Sequence, residues 1–220
     1  MKPSTVIVNL KHYANSSGPN AETFLNSLKT LSVPAGCNVI FALNPIDLRI
    51  ARDYPELTFI SQHVDAVGYG AHTGHFSMES LKGLGINGSI INHSERRLDP
   101  DTVRNAIVRS KGLDFRVTVC CESLEEVKRF SSLEPYSIAY EPPELIGGNV
   151  SVTTSRPEII KEAAEICHNE YVKLLVGAGI KNRNDVTKSI ELGADGVLLA
   201  SGVVLSNSPL DTLNSLIVNL

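Results

Sequence analysis

Eight short apolar runs recur along this chain, and a polar loop and a stretch with helical spacing separate each from the next. The runs are Val6-Val8, Val39-Leu43, Thr58-Ser61, Ser89-Ile91, Arg116-Cys120, Ser137-Tyr140, Lys173-Val176 and Gly196-Leu199. Each is mostly β-branched or aliphatic and is bounded by Gly, Pro, Asn or Asp, as in strands buried on both faces. Helical patterns lie between them at Ala21-Leu31, Ile46-Tyr54, Met78-Leu84, Pro100-Lys111, Ser123-Leu133, Pro157-Asn169, Asn182-Leu192 and Pro209-Val218. Asp99 before Pro100 reads as an N-cap. Ser123 with Glu126 reads as a capping box. Eight strands each followed by a helix, over 220 residues, predict an α/β fold with a parallel sheet closed into a single (β/α)8 barrel spanning residues 1–220. An open doubly wound sheet is the other architecture for such a pattern, and eight evenly spaced units favour closure.

The formal net charge of −4 argues against a general nucleic-acid binder. An anionic substrate would need local positive sites rather than a global field. No apolar run is long enough to span a bilayer, and the N-terminus does not read as a signal peptide, so the expected location is cytoplasmic. Cys37, Cys120, Cys121 and Cys167 read as reduced, mostly buried thiols. Asn92-His93-Ser94 matches a glycosylation triplet, which means little without secretion.

Barrel enzymes carry their chemistry at the carboxyl ends of the strands. Those ends bring Asn9 and Lys11, the string His93-Ser94-Glu95-Arg96-Arg97, Glu141, the Gly177-Gly179 loop and the Ala200-Gly202 loop to one mouth. A carboxylate and a neutral imidazole can move protons on and off adjacent atoms. A lysine can hold an anion or a developing negative oxygen. Small-residue loops let backbone N–H groups approach a phosphate. Any one of these side chains alone would more often be structural. Arg96 and Arg97 read as ion-pair formers at the rim, and His63 and His168 as surface or packing residues. His12 is expected on the opposite side of the strand from Lys11.

Five strings together, Asn9-Leu10-Lys11, Gly70-Ala71-His72-Thr73-Gly74-His75, His93-Ser94-Glu95-Arg96-Arg97, Tyr140-Glu141-Pro142 and Ile146-Gly147-Gly148, resemble the triosephosphate isomerase family in order and interval. The short length and Pro143-Glu144-Leu145 resemble its compact archaeal form. The resemblance implies a TIM barrel that interconverts dihydroxyacetone phosphate and D-glyceraldehyde 3-phosphate through an enediolate, without cofactor or metal. It implies Glu141 as the base, and His93 as the electrophile, held neutral by the helix that follows it. Lys11 would stabilise the enediolate, Asn9 would help bind substrate, and Glu95 would position Lys11. Ile146 and Gly147 would belong to a lid, while Gly179, Ala200 and Ser201 would offer backbone N–H groups to the phosphate. A homo-oligomer, dimer or tetramer, would form through the Gly70-Phe76 loop. The chain departs from the common pattern in having no Trp, in Ala200-Ser201 where a Gly pair is usual, and in His75 where an acid is common. Other phosphate-binding barrels share the last two loops but do not predict Asn9-x-Lys11 with His93-x-Glu95. A catalytically silent barrel would be expected to have lost Lys11, His93 or Glu141.

Overall fold

A computed structural model of the chain describes residues 4–142, 156–177, 179–218 and 220. Eight parallel strands close into a barrel in sequence order. They are β1 Ser4–Asn9, β2 Cys37–Leu43, β3 Thr58–Ser61, β4 Gly88–Ile91, β5 Arg116–Cys121, β6 Ser137–Tyr140, β7 Lys173–Val176 and β8 Gly196–Leu199. The first and last strands pair, Thr5 to Gly196 through Val8 to Leu199, so closure is complete. The ladders are unequal. β1 and β2 align over six pairs, whereas β3 and β4 share the single bridge Ser61↔Ser89.

Strict alternation along these strands makes two cores. Ile7, Ile40, Ala42, Ile60, Ile90, Cys120, Ala139, Leu175 and Leu198 fill the axis. Val6, Val8, Phe41, Val117, Val119, Ile138, Leu174 and Val197 point outward under the helices. The helices are α1 Ala21–Asn26, α2 Met78–Gly83, α3 Pro100–Gly112, α4 Leu124–Ser131, α5 Pro157–Asn169, α6 Arg183–Glu191, α7 Ser201–Val204 and α8 Pro209–Ile217. Among the described residues no helix is long and apolar enough to cross a membrane.

Asp99 caps α3 by accepting the Thr102 N–H at 2.9 Å, and Pro100 occupies the first turn. Ser123 caps α4 through the Glu126 N–H, but Glu126 turns its carboxylate to the Glu122 N–H and to Arg97, so the expected box closes on one side only. A full capping box forms instead between Asn182 and Asp185 at the start of α6.

Two helices differ from their sequence patterns. α1 stops at Asn26 because Ser27 Oγ bonds the Phe24 carbonyl at 2.6 Å, and the chain continues through three-residue turns that still bury Leu28. The expected Ile46-Tyr54 helix is a 3-10 helix over Leu48–Asp53. Pro55 follows Tyr54 and disfavours helical backbone there. The one-turn α7 was not expected from the sequence.

Candidate active site

The site is built at the carboxyl ends of the strands, where the backbone leaves the ladder under constraint. Past β1, Lys11 takes φ 49°, a left-handed conformation rare for a lysine. Asn9 Oδ1 holds it by accepting the Lys11 N–H at 3.1 Å. Gln62 Nε2 holds the Lys11 carbonyl at 3.2 Å. The Lys11 ammonium then reaches Glu95 Oε1 at 2.7 Å. Asn92 is also left-handed, φ 59°, and its side chain bonds the Cys120 carbonyl and the Leu98 N–H. These contacts fix the turn carrying His93 and Glu95. Arg97 pairs with Glu122 and Glu126 and bonds the Asn92 carbonyl, the rim role expected of it.

His93 is buried, and its Nδ1 accepts the Glu95 N–H at 3.2 Å. That bond settles the tautomer of a neutral ring, with the proton on Nε2. The residue after His93 begins a turn closed by Arg96 N–H to the His93 carbonyl at 2.8 Å. The Glu95 backbone N–H faces Nδ1, with Glu95 Oε2 3.6 Å away, and the helix expected just after His93 starts only at Pro100.

Glu141 is 5% exposed at the end of β6. Its Oε2 stands 3.7 Å from His93 Nε2 and has no hydrogen-bond partner among the described residues. Gly177, at the end of neighbouring β7, makes room for it: a Cβ there would lie 2.5 Å from Glu141 Cγ and 2.7 Å from Oε1. Burial pushes the nearby Cys120 thiol well up, and the Glu141 charge pushes it further.

A cavity of about 350 Å3 joins these groups, lined by Lys11, Tyr13, His93, Glu141, Gly177, Gly179, Ile180, Lys181, Ala200, Ser201 and Gly202 among others. Gly179 sits at φ +70°, a conformation that favours glycine, and α7 begins at Ser201. Asn9 does not line this cavity. It lines an adjoining one of about 480 Å3 with Lys11, His12, Gln62, His63, Glu95 and Arg96. His12 is there because β1 ends at Asn9, so strand alternation no longer applies to the turn that follows. His63 is buried rather than on the surface and bonds Asp65 at 3.1 Å, and His168 pairs with Asp195 at 2.8 Å. Ile146 and Gly147 lie outside the described residues.

The structure thus brings together Lys11, His93, Glu141, Gly179, Ala200 and Ser201, with Glu95 behind Lys11. Sequence reading missed Gln62, Cys120 and the service of Gly177 to Glu141. It also gave no role to Tyr13 or Lys181.

The family model described as Triosephosphate isomerase matches residues 4–217. The chain belongs to the triosephosphate isomerase family. A protein named triosephosphate isomerase from Thermoplasma volcanium is 52% identical over 213 residues, covering 97% of this chain and 99% of that one. Proteins of the same name from Sulfurisphaera tokodaii and Methanobrevibacter smithii are 38% and 36% identical, each covering 100% of this chain and 96% and 100% of their own. The match therefore takes in both cavities and every strand.

Proposed function

We propose that the chain is a triosephosphate isomerase in which Glu141 removes the proton from the carbon beside the substrate carbonyl. The observation that carries the reading is the buried Glu141 Oε2, unpartnered among the described residues and 3.7 Å from the Nε2 of a histidine whose Nδ1 is already occupied. A buried carboxylate oxygen left without a partner is costly, and a catalytic role accounts for its being kept. Here it can take a proton while the adjacent Nε2–H hydrogen-bonds the carbonyl oxygen. The electron pair of the broken C–H bond becomes the C=C bond of the enediolate, the carbonyl π pair moves to that oxygen, and the Lys11 ammonium stabilises the charge. Glu141 then returns the proton to the neighbouring carbon, and His93 moves protons between the two oxygens. Glu95 positions Lys11, and Asn9 acts through the Lys11 backbone as well as by the substrate contact expected of it. The phosphate lies against the backbone of Gly179, Ala200 and Ser201. Ile146 and Gly147 complete the substrate contacts in this reading.

Residues 1–220 act as one barrel domain in the cytoplasm, and copies associate as a dimer or tetramer through the Gly70-Phe76 loop. Three features support that association. Residues 70–75 and Tyr69 are exposed. The loop base is held by the Asp65↔Ser77 bridge and by the Phe76 N–H on Asp65 at 2.8 Å. The 480 Å3 cavity beside Lys11 and Glu95 is open to receive such a loop.

The deciding measurement is turnover of dihydroxyacetone phosphate by the wild type and by Glu141→Gln. The expected result is isomerisation by the wild type and a loss of at least about 100-fold in the variant. Near-normal turnover by Glu141→Gln would sink the assignment of the base.

A further inference from the structure

The barrel has a second mouth, at the amino ends of the strands, and it is cationic. Cys120 and Leu175 face the axis. Counting back in twos along β5, Thr118 keeps that facing and bonds Ser137 Oγ at 2.8 Å, and Arg116 at the head of the strand follows it. By the same count Lys173, at the head of β7, faces inward below Leu175. The lowest inward positions of the other strands are Thr5, Asn38, Thr58, Gly88, Ser137 and Gly196, so no carboxylate points to the axis here.

The two cations flank one ring. Arg116 Cζ is 5.3 Å and Lys173 Nζ 4.8 Å from the centroid of Tyr136. Among the described residues neither they nor Arg52 form an ion pair with a carboxylate. A cavity of about 530 Å3 opens beside them. Arg52 and Arg116 stand on its wall with Thr58 and Thr118, and Ile7, Ile40 and Ile60 line its depth. Among the described residues Asp114 is the one carboxylate that lines it. The opening follows from the thin β3–β4 seam, with its single bridge. Gly88 leaves that seam without a side chain, since a Cβ there would meet the Arg116 carbonyl at 2.8 Å and Ile60 Cγ2 at 2.9 Å.

We propose that this amino-end mouth binds a small organic anion, its phosphate or carboxylate head on Arg52 and Arg116 and its apolar body against Ile7, Ile40 and Ile60. Guanidinium forks match both heads in a bidentate way that an ammonium does not. An anion seated on Arg116 also offsets the repulsion between its guanidinium and the Lys173 ammonium, which share the Tyr136 ring. The isoleucines reward an apolar body that inorganic phosphate lacks. The site lies at the end of the barrel opposite Lys11 and Glu141, so its occupant does not compete with substrate for those groups.

The probes are n-butyl phosphate, butanoate and n-butanol, followed by amide NMR of the full-length protein. The expected result is that one or both anions shift the amides of Arg116, Thr118 and Thr58 in a saturable way, while n-butanol does not. Which anion acts identifies the head. The amides of Gly179 and Ser201 report separately on the other mouth. In Arg52→Gln/Arg116→Gln the floor shifts should need at least about fivefold more ligand. Should that variant fail to fold, exposed Arg52→Gln alone should weaken binding in the same direction. Three results would overturn the proposal: no floor shift up to about 10 mM of either anion, equal shifts with n-butanol, or equal affinity in the arginine variants.

Discussion

At the scale of single residues, the site depends on space as much as on charge. Gly177 carries no chemistry, yet a methyl group there would meet Glu141 Cγ at 2.5 Å. Gly177→Ala should displace the carboxylate on the order of 1 Å and lower kcat by about 100-fold, with a smaller change in KM. Steady-state kinetics on a variant shown to be folded by circular dichroism check this, and unchanged kcat would mean the carboxylate has room elsewhere. His93 gives a second expectation. With the Glu95 N–H on Nδ1, nitrogen NMR of labelled His93 should show the neutral ring protonated at Nε2. A ring protonated at Nδ1 would remove the donor proposed for the carbonyl oxygen. Lys11, His93 and Glu141 were legible as residues of the mouth because each stands within two residues of a strand's carboxyl end. Gly177 was legible only as a small residue. Its service to Glu141 depends on the β6–β7 register, Tyr140 opposite Val176, which no local pattern encodes.

At the scale of elements, strands were easier to read than helices. Thr58–Ser61, Ser137–Tyr140, Lys173–Val176 and Gly196–Leu199 coincide with their apolar runs because burial on both faces leaves few polar residues inside them. Helix ends were harder, since Ser27 and Pro55 decide them by local competition that periodicity does not register. Asp99 is the exception. Its cap and its two bonds to Thr102 predict that Asp99→Ala lowers the midpoint of urea denaturation. The loop base formed by His63 and Asp65 should be sensitive to acid. Burial lowers the His63 pKa, and Arg96 and His75 lower it further, against the opposing pull of Asp65. The folded ring therefore resists a proton that the unfolded ring accepts near its ordinary value of about 6.5. Stability from this group is whole above that value and falls as the pH drops below it. Denaturation midpoints should decline below about pH 6.5, and less steeply in His63→Gln. Equal slopes would show that other groups carry the acid sensitivity.

For the whole molecule, association and catalysis should be separable in degree. Residues 70–75 of the loop are exposed, and the cavity that would receive its copy is walled by Lys11 and Glu95. Replacing Thr73-Gly74-His75 with a shorter turn should yield a folded monomer by light scattering. Its kcat should be at least tenfold lower, because Lys11 and Glu95 lose the neighbour that shields them. A monomer of full activity would show that each barrel works alone.

The thin β3–β4 seam has a consequence for how the ring can be cut. A barrel whose strands follow sequence order is a circle, and the two ends of its sheet already meet where β1 pairs β8. Joining those ends and opening the chain between β3 and β4 would leave a permuted protein running from β4 round to β3. The new break would fall where one bridge, Ser61↔Ser89, is the whole of the ladder between neighbours. The same opening placed between β1 and β2 would sever the covalent tie across six aligned pairs. The circle is thus most tolerant of new ends beside the loop proposed to carry association, where ends introduced to study folding would also release one barrel from the next.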